Sequence, residues 1–75
     1  MKAEEVWAWI NSMMQDIDIC YQGRLGSICP FARDDISLAF DGFEVTVRSV
    51  DAAMKEPFID GHSLEELCED PDFEI

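Results

Sequence analysis

The sequence predicts an α+β domain in two layers. An N-terminal amphipathic helix packs on a three- to four-stranded antiparallel sheet, and a short helix follows near the C-terminus. Three observations carry this. Apolar residues recur at helical spacing over residues 2–16. Two runs of strict alternation flank Asp41-Gly42. Ser63-Leu64-Glu65-Glu66 has the form of a capping box.

In the first segment Val6, Trp9, Ile10, Met13, Met14 and Ile17 fall on one broad face at 100° per residue. Trp7 and Trp9 lie on its two margins and are expected to lid the edges of a small core. Glu4 and Glu5 suit the positive end of the helix dipole.

Residues 17–22 alternate between apolar and polar and read as a half-buried strand. Gly23-Arg24-Leu25-Gly26 reads as a loop, and residues 27–31 as a short return strand. Pro30 would confine that strand to a sheet edge, because proline cannot donate to the ladder. If Gln22 and Ser27 close this hairpin, Cys20 lies opposite Cys29, close enough for a disulfide but expected to be reduced. A Cα separation well beyond about 7 Å would show that the hairpin or its register differs.

Asp41-Gly42 is a favoured pair for a two-residue type I′ turn. It sets Phe40 against Phe43, Leu38 against Val45 and Ile36 against Val47, with all six side chains on one face. The other face pairs Ala39 with Glu44, Ser37 with Thr46 and Asp35 with Arg48, the last a pair of opposite charges.

Ser49 is placed to cap a short helix that stops before Pro57. Phe58 and Ile59 then dip into the core, and Asp60-Gly61 turns the chain. The helix capped by Ser63 points Leu64, Leu67 and Cys68 inward and ends before Pro71. Phe73 and Ile75 either fold back onto the body or leave the acidic segment 69–75 free. All 75 residues form one domain, without repeats or a linker.

Composition narrows function. Five Lys and Arg stand against 17 Asp and Glu, a net charge of −12. That charge disfavours direct binding to nucleic acid or to an anionic membrane. Residues 56–75 carry eight of the acids and no Lys or Arg. No signal peptide or membrane-spanning stretch is visible, and three cysteines, an odd count, fit a reducing compartment; a cytoplasmic protein is expected.

No motif carries chemistry. His62 is the only histidine, and Cys20, Cys29 and Cys68 show no catalytic or zinc-knuckle spacing around it. Gly23-Arg24-Leu25-Gly26 is not a phosphate-binding loop. No catalytic residue, cofactor or metal is expected, and a chain this small encloses little space for a substrate.

Two functions remain. One is a small acidic protein-interaction module that binds another protein or itself as a homodimer. Trp7, Phe31, Phe58, Phe73 and Ile75 exceed what a small core needs. The candidate contact residues are Trp7, Phe58, Phe73 and Ile75, with the acids Glu65, Glu66, Glu69, Asp70 and Asp72. The alternative is a nucleic-acid mimic that occupies the basic groove of a DNA- or RNA-binding protein. It requires carboxylates converging on one elongated face.

Overall fold

The structure is a computed structural model, and it describes residues 2–12 and 16–75. The chain runs α1 (Ala3–Asn11), β1 (Ile17–Tyr21), β2 (Arg24–Ala32), β3 (Asp35–Phe40), β4 (Phe43–Val47), α2 (Val50–Lys55), α3 (Leu64–Leu67) and β5 (Phe73–Glu74). The strands form one antiparallel sheet in the order β4-β3-β2-β1-β5. The α+β class and the two layers agree with the sequence reading. The strand count is five, because the chain end adds β5 against β1 at Cys20↔Glu74 and Tyr21↔Phe73.

The β3–β4 register is the one that the Asp41-Gly42 turn dictates, from Phe40↔Phe43 to Ile36↔Val47. Both turn residues have positive φ, 49° and 89°, as a type I′ turn requires. The ladder stops at Ile36↔Val47. Asp35 pairs with Ala32 on the β2 side, and beyond the end of the β3–β4 ladder the expected Asp35–Arg48 pair is not among the pairs of the described residues.

The β1–β2 hairpin differs from expectation. Gln22 and Gly23, at φ 52° and 78°, form a second two-residue turn of the same kind, and β2 begins at Arg24. The supposed four-residue loop is therefore one turn plus the start of a nine-residue strand. Cys20 faces Leu25, whereas Cys29 faces Ser37 of β3. Four residues of strand, at about 3.3 Å each, separate Leu25 from Cys29, so the two cysteines are far beyond disulfide reach.

Pro30 does not mark an edge: β2 is the central strand. Its position explains the tolerance. Ladder alternation turns the nitrogen of residue 30 toward the β1 side, and the β1–β2 pairs end at Ile17↔Ile28. The missing N–H thus falls beyond the β1–β2 pairs of the described residues. A register shift follows between Pro30 and Ala32, and the extra residue, Phe31, is 71% exposed.

α1 buries Val6 and Ile10, with Trp9 half-buried against the core. Met13 and Met14, expected on the same face, lie outside the described residues. Ile17 belongs to β1 rather than to the helix. The helices cover one sheet face. Between the layers sit Val6, Ile10, Ile19, Ile28, Ile36, Leu38, Ile59 and Leu64, all nearly or wholly inaccessible to water. Each such side chain contributes about 1.5–3 kcal/mol of transfer free energy. Phe58 and Phe73 also belong to this core. The opposite sheet face, which carries Asp18, Cys20, Leu25 and Glu44, is uncovered.

Ser49 caps α2, its hydroxyl accepting the Ala52 N–H at 3.0 Å. Asp60 and Gly61, at φ 55° and 83°, make a third tight turn, closed by reciprocal Ile59–His62 backbone bonds. Ser63 and Glu66 form the expected capping box. Among the described residues no buried side-chain nitrogen or oxygen lacks a hydrogen-bond partner.

Candidate functional site

Three helices leave a groove on the covered side of the domain. Ala3, Glu4 and Trp7 of α1 share one helix stripe, since positions four apart lie one above the other. Asp51, Met54 and Lys55 of α2 form a similar stripe, and Glu65 of α3 closes the end. The space between them is ≈ 300 Å³ and open to solvent. Its floor is apolar, built from Ala3, Trp7 and Met54.

Trp7 is held rather than loose. Its indole Nε1–H donates to Asp51 Oδ1 at 2.7 Å, which ties α1 to α2. The ring stays 38% exposed. Glu4, Asp51, Glu65 and Lys55 are all exposed at the rim. None of these carboxylates takes part in an ion pair among the described residues, where Arg24 and His62 are the bridging cations.

Arg24 does another job. It reaches Asp60 at 2.9 Å and Asp41 at 3.3 Å, and its guanidinium carbon lies 5.1 Å from the centre of the Phe40 ring. The bond to Asp60 raises its pKa further above an already high value. This pins the ends of the β1–β2 and β3–β4 hairpins to the 57–61 segment.

His62 Nδ1 lies 3.3 Å from Glu66 Oε2, and its ring meets Tyr21 edge-on at 6.3 Å. Glu66 Oε1 accepts the Ser63 N–H at 3.3 Å. The bond from His62, and then that from Ser63, hold the Glu66 carboxyl below the usual glutamate range. A lowered folded-state pKa stabilises the domain above the unfolded glutamate value of about 4.3, and this is lost as pH falls through the folded value. Glu66→Gln should therefore remove part of the acid sensitivity below about pH 4.3 while weakening the α3 cap at neutral pH. Urea unfolding at pH 3 and pH 7 measures both effects; an equal loss at the two pH values would contradict the assignment.

The three cysteines are divided between the two faces of the sheet. Cys20 and Cys29 are half-buried on the uncovered face, whereas Cys68 is buried on the helix side. Burial pushes the Cys68 thiol pKa up, away from the reactive thiolate, and its Sγ–H donates to the Glu65 carbonyl at 3.5 Å. Among the described residues no group of three or more His, Cys, Asp or Glu is placed to hold a metal ion.

The residues expected at a partner surface are divided by the fold. Trp7 and Glu65 meet at the groove. Phe58 and Phe73 offer no surface, at 2% and 7% exposure. Both sit next to turns that carry them inward. Ile75 lies on the other side, in a shallow ≈ 220 Å³ depression with Asp18, Ile19, Cys20, Leu25 and Glu74. Glu66 is used in the cap, Asp70 accepts the Asp72 N–H at 2.8 Å, and Glu69 and Asp72 are exposed. Segment 69–75 folds back through β5.

Sequence reasoning missed Glu4, Asp51 and Met54 at the groove, and Leu25 and Phe43, exposed by 73% and 50%. The margin position of Trp7 and the choice of Glu65 as a contact acid are the signals that reach the groove. Among the described residues, no helix is long and apolar enough to cross a membrane. Comparison of the chain with protein-family models, with curated proteins and with solved structures finds no match to any of them.

Proposed function

We propose that this chain is a small, acidic, non-enzymatic protein-interaction module whose partner is another protein or a second copy of itself. One observation carries the reading. Outside the buried core, Trp7, Leu25, Phe31 and Phe43 remain at the surface, 38–73% exposed. Large apolar side chains held in ordered elements at the surface mark association sites. The uncovered sheet face and the edge strand β4 add backbone and side-chain surface of the kind that partners use. A cytoplasmic setting fits the unpaired state of Cys20 and Cys29.

The nucleic-acid mimic receives less support. It calls for carboxylates gathered on one long face, and the described acids are shared between both. Asp18 and Glu44 lie on the uncovered sheet face, Glu4, Asp51 and Glu65 on the helix side, and Asp41 and Asp60 are bonded to Arg24.

Two measurements test the module. Sedimentation velocity from 1 to 100 µM (a range spanning micromolar affinities, about −8 kcal/mol) detects self-association. Affinity capture from the source cells, with the wild-type chain and a Leu25→Ser/Phe31→Ser variant in parallel, detects a partner. The expected result is a dimer, or a stoichiometric partner, weakened at least about tenfold by changes at exposed apolar positions. A strict monomer with no stoichiometric partner would remove the proposal.

A further inference from the structure

We infer that the groove between α1, α2 and α3 is a docking site for a basic segment of a partner protein, seating an arginine or lysine side chain with its apolar stem. This deepens the module reading and rests on it. The groove pairs two features that match such a side chain. Its floor of Ala3, Trp7 and Met54 suits a methylene stem, and its rim carries three carboxylates, Glu4, Asp51 and Glu65, against the one ammonium of Lys55. Arginine and lysine bury their stems on apolar surface while keeping the charged head at the rim.

Trp7 adds a specific attraction. A cation over an indole face is drawn by the ring's negative quadrupole, and tryptophan is the strongest such partner. The Nε1–H bond to Asp51 at 2.7 Å polarises the indole toward a richer face and fixes the ring. The site is thus built before a ligand arrives, which lowers the ordering cost of binding.

The charge balance separates a partner from a second copy. Each copy carries a net charge of −12, so two copies repel. Arg24 is held by Asp41, Asp60 and Phe40 at the hairpin ends and is not free to enter such a groove. The occupant best matched to the groove is a different, basic chain, drawn in by the long-range field as well as by the rim.

The test uses the full chain and a blocked peptide, acetyl-Ala-Leu-Arg-Ala-Leu-Arg-amide, beside its citrulline counterpart, which keeps the shape and loses the charge. Two-dimensional NMR follows the Trp7 indole signal and the amides of residues 3–7, 51–55 and 65. The expected result is saturable shifts at these positions, with Kd of about 0.1–1 mM for so short a probe. Affinity should fall at least about fivefold for citrulline, for Glu4→Gln/Glu65→Gln, and on raising salt from 20 to 300 mM. Both substituted residues are exposed, so the variant should keep its fold and its amide spectrum elsewhere. Absent shifts, or shifts centred on Leu25 and Cys20 and indifferent to the two Gln substitutions, would overturn the groove assignment. A stoichiometric partner or dimer retained equally by that variant would also overturn it, yet leave the module reading intact; a wild-type chain with neither a partner nor a dimer would remove both.

Discussion

Gly26→Ala is expected to cost the domain about 3 kcal/mol and to lower its thermal midpoint by about 10–20 °C. Gly26 lies in the middle of the sheet, paired with Ile19 of β1 and with Phe40 of β3. A methyl group there would collide with the carbonyl oxygen of Ala39, a backbone atom of the neighbouring strand. It would also press on Ile19 Cγ1 at 3.0 Å. The side chain could rotate away, but the backbone carbonyl moves only if the β2–β3 pair separates. That separation opens the sheet where Ile28 and Leu38 complete the core. The matching control is Gly23→Asn, since Gly23 sits at φ 78° in open space and asparagine tolerates a left-handed turn. Circular dichroism melts of the two variants check this. A Gly26→Ala midpoint within about 3 °C of wild type would mean that β2 and β3 do not approach so closely there.

The same glycine explains what the sequence reading could and could not reach. Asp41-Gly42 is legible because turn chemistry and alternation agree on both sides, so one register satisfies every pair from Ile36 to Val47. Gln22-Gly23 makes an equivalent turn with a weaker local signal. Gln lacks the short side chain that makes Asn and Asp tolerant of positive φ, and a second glycine three positions later suggests a loop. Gly26 is there for close backbone approach rather than for a turn, a role visible only once β3 is beside it. Pro30 misleads in a related way. Its tolerance depends on where β1 stops pairing, a tertiary fact.

The candidate site was less legible than the fold, for a physical reason. Core positions reveal themselves by periodicity along one element. A groove between elements draws on the edges of several, and Glu4 and Asp51 look like ordinary solvated acids until α1, α2 and α3 are docked. Phe58 and Phe73 show the converse. The sequence places Phe58 both in the core and among the contact residues, and leaves Phe73 either on the body or free; the structure buries both, Phe58 ahead of the Asp60-Gly61 turn and Phe73 through the β1–β5 pairing. The exposed Trp7 is readable at both levels, because a helix margin stays a margin after packing.

Leu38→Ala should be nearly as severe as the glycine substitution, at about 3–4 kcal/mol, whereas Leu25→Ala should change stability by less than about 0.5 kcal/mol. Both leucines lie in the sheet, one strand apart. Leu38 is wholly buried between Ile28 of β2 and Val45 of β4, while Leu25 is 73% exposed on the uncovered face. Their difference reads the register directly, since a slip of one residue would exchange the two faces of a strand. The cost at Leu38 combines lost transfer free energy with the cavity left behind, and the strands on both sides limit collapse around it. For a domain of this size, whose whole stability is of order 4–11 kcal/mol, such a loss consumes much of the margin at 37 °C. Urea unfolding resolves both variants. Comparable losses at Leu25 and Leu38 would mean that the sheet is covered on both faces, by a partner copy or otherwise. In that case Leu25→Ala should become concentration-dependent in its effect, because a covered face loses its cover on dilution. Leu25 thus links the fold to the proposed function: silent in the isolated domain, and costly only where that face is occupied.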